Sequence, residues 1–126
     1  MPILQIKALP QKDESKITPA LKKTFKAIAE FYQCEPKHVW ATWEELKSEF
    51  YVEGEKSAAI QPDDTHPPMA SLTCFEGKSP EQIEKLLKIT SNTLSKELGL
   101  GDNIFITYHE AKSGQVISGN QIVRKS

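Results

Sequence analysis

Apolar and polar residues alternate in β-prone types from Ile3 to Leu9, and Met69 to Phe75 forms a mixed apolar run of similar length with a similar turn after it. Both runs predict strands. After each, the period lengthens to that of a helix. Leu21, Phe25, Ile28 and Tyr32 line one face while Lys22, Lys23 and Lys26 point away, and further on Ile83, Leu87, Thr90, Leu94 and Leu98 recur at the same spacing. The second helix has clear boundaries: Ser79 as cap, Pro80 at the first position, Gln82 completing a capping box and Gly99 to end it. For the first helix, Pro19 demands an opening turn, and Thr18 is preferred to Asp13 as its cap. A second strand then follows each helix, His38 to Glu44 and Asn103 to His109, with short extended pieces at Glu49 to Glu53 and Gln115 to Val123.

The same unit therefore occurs twice, and the chain carries the repeat at a spacing of 65 to 66 residues. Pro2-Ile3-Leu4-Gln5-Ile6 through Lys12 matches Pro68-Met69-Ala70-Ser71-Leu72 through Lys78; Glu44-Glu45-Leu46-Lys47-Ser48 matches His109-Glu110-Ala111-Lys112-Ser113; and Gly54 matches Gly119. The expected architecture is one α/β (α+β) domain over residues 1–126, with repeat halves 2–54 and 68–120 and a connector 55–67 that reads as a solvated, proline-rich linker. Each half is a βαβ unit with parallel strands and a right-handed crossover, giving a four-stranded sheet with two helices on one face. The other face is left uncovered. Trp40, Trp43, Phe105 and Tyr108 lie on its strands, which predicts burial against other subunits. Trp40 and Trp43 differ by an odd number, so they take opposite faces and at least one is expected to be buried.

Composition removes several classes of function. Sixteen Lys and Arg against 17 Asp and Glu leave a net charge of −1, which gives no field to attract nucleic acid or an anionic membrane. Cys34 and Cys74 form no zinc or redox spacing and read as buried thiols. No apolar run approaches a bilayer span, and the first residues lack the pattern of a secretion signal, so a reducing cytoplasm is expected. His66 with Asp63 and Asp64 has no matching ligand pair, so no metal is expected, and His109 reads as a strand end.

Met1-Pro2 opening directly into a strand, Lys12 after that strand and the duplicated βαβ together resemble the tautomerase superfamily, which includes macrophage migration inhibitory factor and 4-oxalocrotonate tautomerase. Tyr51-Val52-Glu53-Gly54 and the Met69 to Lys78 segment look most like a small bacterial branch. The resemblance implies a homotrimer with active sites near subunit boundaries, no cofactor, and a small carboxylate substrate. It also implies loss of Met1, leaving Pro2 as a secondary amine that moves a proton between carbon and oxygen of a 2-oxo or enol acid.

Pro2 has physical standing as a base, because burial or a nearby cation lowers the pKa of a free α-amino group toward neutrality. The plain alternative is a proline starting a strand, where its missing N–H costs nothing. Lys12 stands where muconate-type relatives carry a carboxylate-binding arginine, and Lys78 is its counterpart in the second half. Trp40 falls near another such arginine position, and Arg124 is the single arginine of the chain, so a two-arginine diacid clamp is absent. Lysine holds a carboxylate as a point charge, without the bidentate fork. Tyr51 and Tyr108 are placed by the resemblance near the substrate, where a phenol can donate to an enolate oxygen; strand aromatics otherwise belong to core or interface. Two rival readings stand beside the isomerase: a non-catalytic oligomeric scaffold that keeps the fold, and a ferredoxin-like regulatory domain.

Overall fold

The two alternating runs become the two central strands of a single sheet. In a computed structural model, which describes residues 2–125, β1 (Ile3–Ala8) and β5 (Met69–Phe75) pair antiparallel, with Ile3 opposite Thr73 and Lys7 opposite Met69. β2 (Trp40–Glu45) lies parallel to β1 and β6 (Phe105–Ala111) parallel to β5, giving the order β2-β1-β5-β6. The crossovers are α1 (Ile17–Tyr32) and α2 (Pro80–Leu98), which pack on one another and on one sheet face. After each outer strand comes a two-stranded hairpin, β3 (Val52–Glu53) with β4 (Lys56–Ser57), and β7 (Ile117–Ser118) with β8 (Gln121–Ile122).

Alternation decides which side chains enter the core. Leu4, Ile6, Ala8, Ala70, Leu72 and Cys74 are buried toward the helices, whereas Trp40, Met69 and Phe105 are exposed on the opposite face. The expectation for the four aromatics is thus half corrected. Trp43 and Tyr108 pack against the core with the helices, and neither tryptophan is fully buried. Cys74 is a buried thiol as expected, but Cys34 is half-buried.

The buried helix faces are rotated slightly from those the periodicity suggests. Ala20, Thr24, Ile28 and Ala29 form the contact of α1, and Leu86, Thr90, Leu94 and Leu98 that of α2, while Leu21, Phe25, Tyr32, Ile83 and Leu87 are half-buried. Small residues at the centre of α1 let the helices approach. The two buried threonine hydroxyls donate to the carbonyls of Ala20 and Leu86, each at 2.8 Å, so neither polar group is stranded. Thr24 and Thr90 are 66 residues apart, as are the left-handed helix caps Gln33 and Gly99.

Two further expectations are corrected. Asp13, not Thr18, caps the first helical segment: its carboxylate accepts from the Ser15 N–H at 3.0 Å and opens a short 3-10 turn, Glu14–Lys16, that runs into α1. Pro19 then falls in the first turn of α1, where no intrahelical N–H is required. The connector is not a solvated linker, because Gln61 and His66 are buried within it. The Gln61 amide donates to the carbonyls of Pro62 and His66, and the Asn103 amide donates to that of Thr65 at 2.7 Å. The loop's own carbonyls need these donors, and a local sequence pattern does not show them.

Candidate functional site

The antiparallel register divides the candidate residues between the two ends of the sheet. One step back from the Ile3–Thr73 pair, Pro2 lies opposite Cys74; one step beyond the Lys7–Met69 pair, Pro68 lies opposite Ala8. Pro2 is buried, and its carbonyl accepts the Trp40 N–H at 3.0 Å, which fixes the entry of the chain into β1.

The Pro2 end gathers a distinct set of side chains. Lys78, three residues past β5, holds its Nζ 4.3 Å from the centre of the Tyr32 ring. Tyr108 is aligned with Leu72 across β5 and β6 and turns to the helix side, as Leu72 does. Tyr32 and Tyr108 both neighbour the Cys74 thiol. Burial, with Cys74 contributing, pushes both phenols well above the ordinary tyrosine range, and burial also raises the thiol. All three groups are therefore neutral over the physiological range and available as hydrogen-bond donors. Both phenol oxygens are buried and lack a hydrogen-bond partner among the described residues. Tyr32 also lines a cleft of about 520 Å³, with Ile3, Cys34, Lys37, Trp40 and Ile117 among its other walls.

Lys12 and Tyr51 are placed elsewhere. Lys12 is exposed at the other end, paired with Asp63 at 3.1 Å. Tyr51 donates its hydroxyl to the Pro67 carbonyl at 2.7 Å and stacks edge-on against buried His66, ring centres 5.1 Å apart. Within one chain, then, Pro2, Lys78 and Tyr108 are brought to one end, and Lys12 and Tyr51 lie at the other. Tyr32 and Cys74 were missed by sequence reasoning as site members because both satisfy a core pattern. The signal was indirect: antiparallel pairing of the repeat's two leading strands sets the start of one beside the end of the other.

No group of three or more His, Cys, Asp or Glu side chains able to hold a metal occurs among the described residues. Nor is any described helix long and apolar enough to cross a membrane. Met1, whose removal the resemblance implies, lies outside the described residues.

No family model and no curated protein matches this sequence. Solved structures do match in shape. Native fused 4-OT superposes with a TM-score of 0.81 at 18% identity, covering 95% of this chain and 94% of that one. The fold is that of the tautomerase superfamily. A macrophage migration inhibitory factor-like protein from Entamoeba histolytica shares the tautomerase fold at TM-score 0.70 and 12% identity, over 96% of this chain and 97% of that one. N1, a member of the cis-3-chloroacrylic acid dehalogenase family, shares it at TM-score 0.73 and 9% identity, over 96% and 82%. These identities carry the tautomerase fold and leave the chemistry to be argued from the residues.

Proposed function

We propose that this protein is a cofactor-independent, cytoplasmic isomerase that moves a proton between carbon and oxygen of a small 2-oxo or enol acid, with Pro2 as the base. The observation that supports the reading is the setting of Pro2: it is buried at the start of β1, at the sheet end where Lys78 sits on Tyr32, and its neighbour Ile3 lines an apolar cleft. Removal of Met1 turns the Pro2 nitrogen from an amide into an amine, and the apolar surroundings then hold its pKa down toward neutrality. Lys78 attracts the substrate carboxylate, and Tyr108 donates to the oxygen that becomes negative.

The functional unit we propose is a homotrimer of single-domain chains, each spanning 1–126 with halves 2–54 and 68–120. Such fold relatives as fused 4-OT have been described as symmetric and asymmetric trimers, which supports it. Assembly is also what gives Lys12 and Tyr51 a role, since only a neighbouring copy places that end of the sheet beside Pro2.

Ketonisation of phenylenolpyruvate tests the reading. Wild type is expected to exceed Pro2→Ala by about 10²- to 10⁴-fold, the range for a positioned base, and intact mass is expected to show loss of one methionine. Equal background rates for both proteins reject the enzyme. A second reading, a non-catalytic scaffold with this fold, is favoured by one feature: Arg124 is the single arginine, so a two-arginine clamp for a diacid is absent.

A further inference from the structure

Tyrosine in a protein interior normally finds a partner for its hydroxyl. Here two do not. Tyr32 reaches the Pro2 end from the last residue of α1, and Tyr108 reaches it from the middle of β6; both oxygens are out of water and unpartnered among the described residues. Cys74 is the polar group near both, and its thiol, a weak acceptor, makes no hydrogen bond of normal geometry with either phenol. If these positions served packing alone, phenylalanine would fill the same volume without stranding an oxygen. The arrangement also carries a charge, because the Lys78 ammonium sits over the Tyr32 ring face. A cation there draws electron density from the ring and makes its hydroxyl a better donor. Tyr32, though not Tyr108, lines the nearby cleft, so an incoming oxygen approaches by way of Tyr32.

We propose that Tyr32 and Tyr108 form a two-donor site for an oxyanion, with Lys78 held on Tyr32 as its counter-charge. This assigns a role to Tyr32, and it rests on the isomerase reading above. In the forward step the bond from the α-carbon to hydrogen breaks and the proton passes to the Pro2 amine. The electron pair left behind forms the carbon–carbon double bond, and the carbonyl pair moves onto oxygen, where the two phenol hydroxyls donate. Protonation of the enolate by the same amine completes the transfer with no other reagent.

Oxalate, a planar dianion shaped like an enolpyruvate, is the probe. Titration calorimetry on wild type, Tyr32→Phe, Tyr108→Phe and Lys78→Gln is combined with kcat and KM for phenylenolpyruvate. Each phenylalanine variant is expected to bind oxalate about tenfold more weakly and to lose about 10²-fold in kcat, with KM nearly unchanged, as for removal of one donor made useful only in the transition state. Lys78→Gln is expected to raise both the oxalate Kd and KM. Thermal melting of Tyr32→Phe is expected at or above the wild-type temperature, because a stranded oxygen is removed. Wild-type oxalate affinity and turnover in Tyr32→Phe overturn the proposal. Pro2→Ala separates the two readings: it is expected to lose turnover and keep oxalate. An inert wild type whose oxalate binding still needs both phenols sinks the base and leaves the anion site standing. Should Tyr32→Phe fail to fold, the tyrosine absorbance of wild type on adding oxalate decides, and an unchanged spectrum overturns the site.

Discussion

Gln61 is a neutral amide at the crowded end of the sheet, with 2% of its surface exposed. Its Nε2 donates to the carbonyls of Pro62 at 3.0 Å and His66 at 2.8 Å, with Thr65 at a longer 3.3 Å, and its Oε1 accepts from Gln11 at 3.2 Å. The loop turns back on itself here, and His66 takes a positive φ of 47° to do so. Carbonyls that converge in this way have no strand or helix to pair with, so side-chain amides serve them, Gln61 from within the loop and Asn103 from outside it. Gln61→Ala strips the shared donor and leaves a cavity, and a loss of about 2 to 3 kcal/mol in urea unfolding is expected. Asp64→Ala, on the exposed side of the same loop, is expected to stay within about 0.5 kcal/mol. The difference between the two tests whether the connector is held by this amide or merely tethered at its ends.

At the scale of elements, the repeat offers an internal comparison. Gln33 and Gly99 close α1 and α2 in the same left-handed conformation, with φ of 54° and 70°. A side chain there costs roughly 1 to 2 kcal/mol, and glycine gives back roughly 0.4 to 1 kcal/mol through the freer unfolded chain. Gln33→Gly is therefore expected to stabilise by about 0.5 to 1 kcal/mol, and Gly99→Ala to destabilise, both read by chemical denaturation. Ser79→Ala, which breaks the capping box with Gln82, is expected to cost about 1 kcal/mol. These features also show what was legible in the sequence. Ser79, Pro80, Gln82 and Gly99 fixed α2 because each acts within a few residues of itself. Asp13 outranks Thr18 as a cap only through the 3-10 turn that it opens, and apolar periodicity does not show such a turn. Leu86 replaced Leu87 at the centre of the helix contact because α1 supplies the small surface against which α2 turns, and that is a tertiary fact. The site followed the same division: Pro2 and the two turn lysines come from matching positions in the repeat, whereas the partnership of Tyr32, Cys74 and Tyr108 exists only once strand pairing sets the start of β1 against the end of β5.

For the molecule as a whole, the sheet face away from the helices is the unfinished part. Trp40 is 55% exposed and Phe105 54%, each on an outer strand. They occupy diagonal corners, since Trp40 is aligned with Ile3 at the Pro2 end and Phe105 with Met69 at the Lys12 end. Apolar corners related in this way favour a contact in which one copy's Trp40 corner meets the next copy's Phe105 corner. Such a head-to-tail interface closes into a ring when the rotation allows, and it brings the Lys12 end of one chain beside the Pro2 end of another. Sedimentation velocity is expected to show wild type as a trimer and Trp40→Glu or Phe105→Glu as monomers, because a buried unpaired carboxylate opposes either contact. Mixing the two variants discriminates further. A Trp40→Glu chain keeps its Phe105 corner, a Phe105→Glu chain keeps its Trp40 corner, and one sound junction forms between them while both outer corners stay charged. The mixture is expected to stop at dimers; variants that remain trimeric when alone would place the assembly interface elsewhere on the molecule.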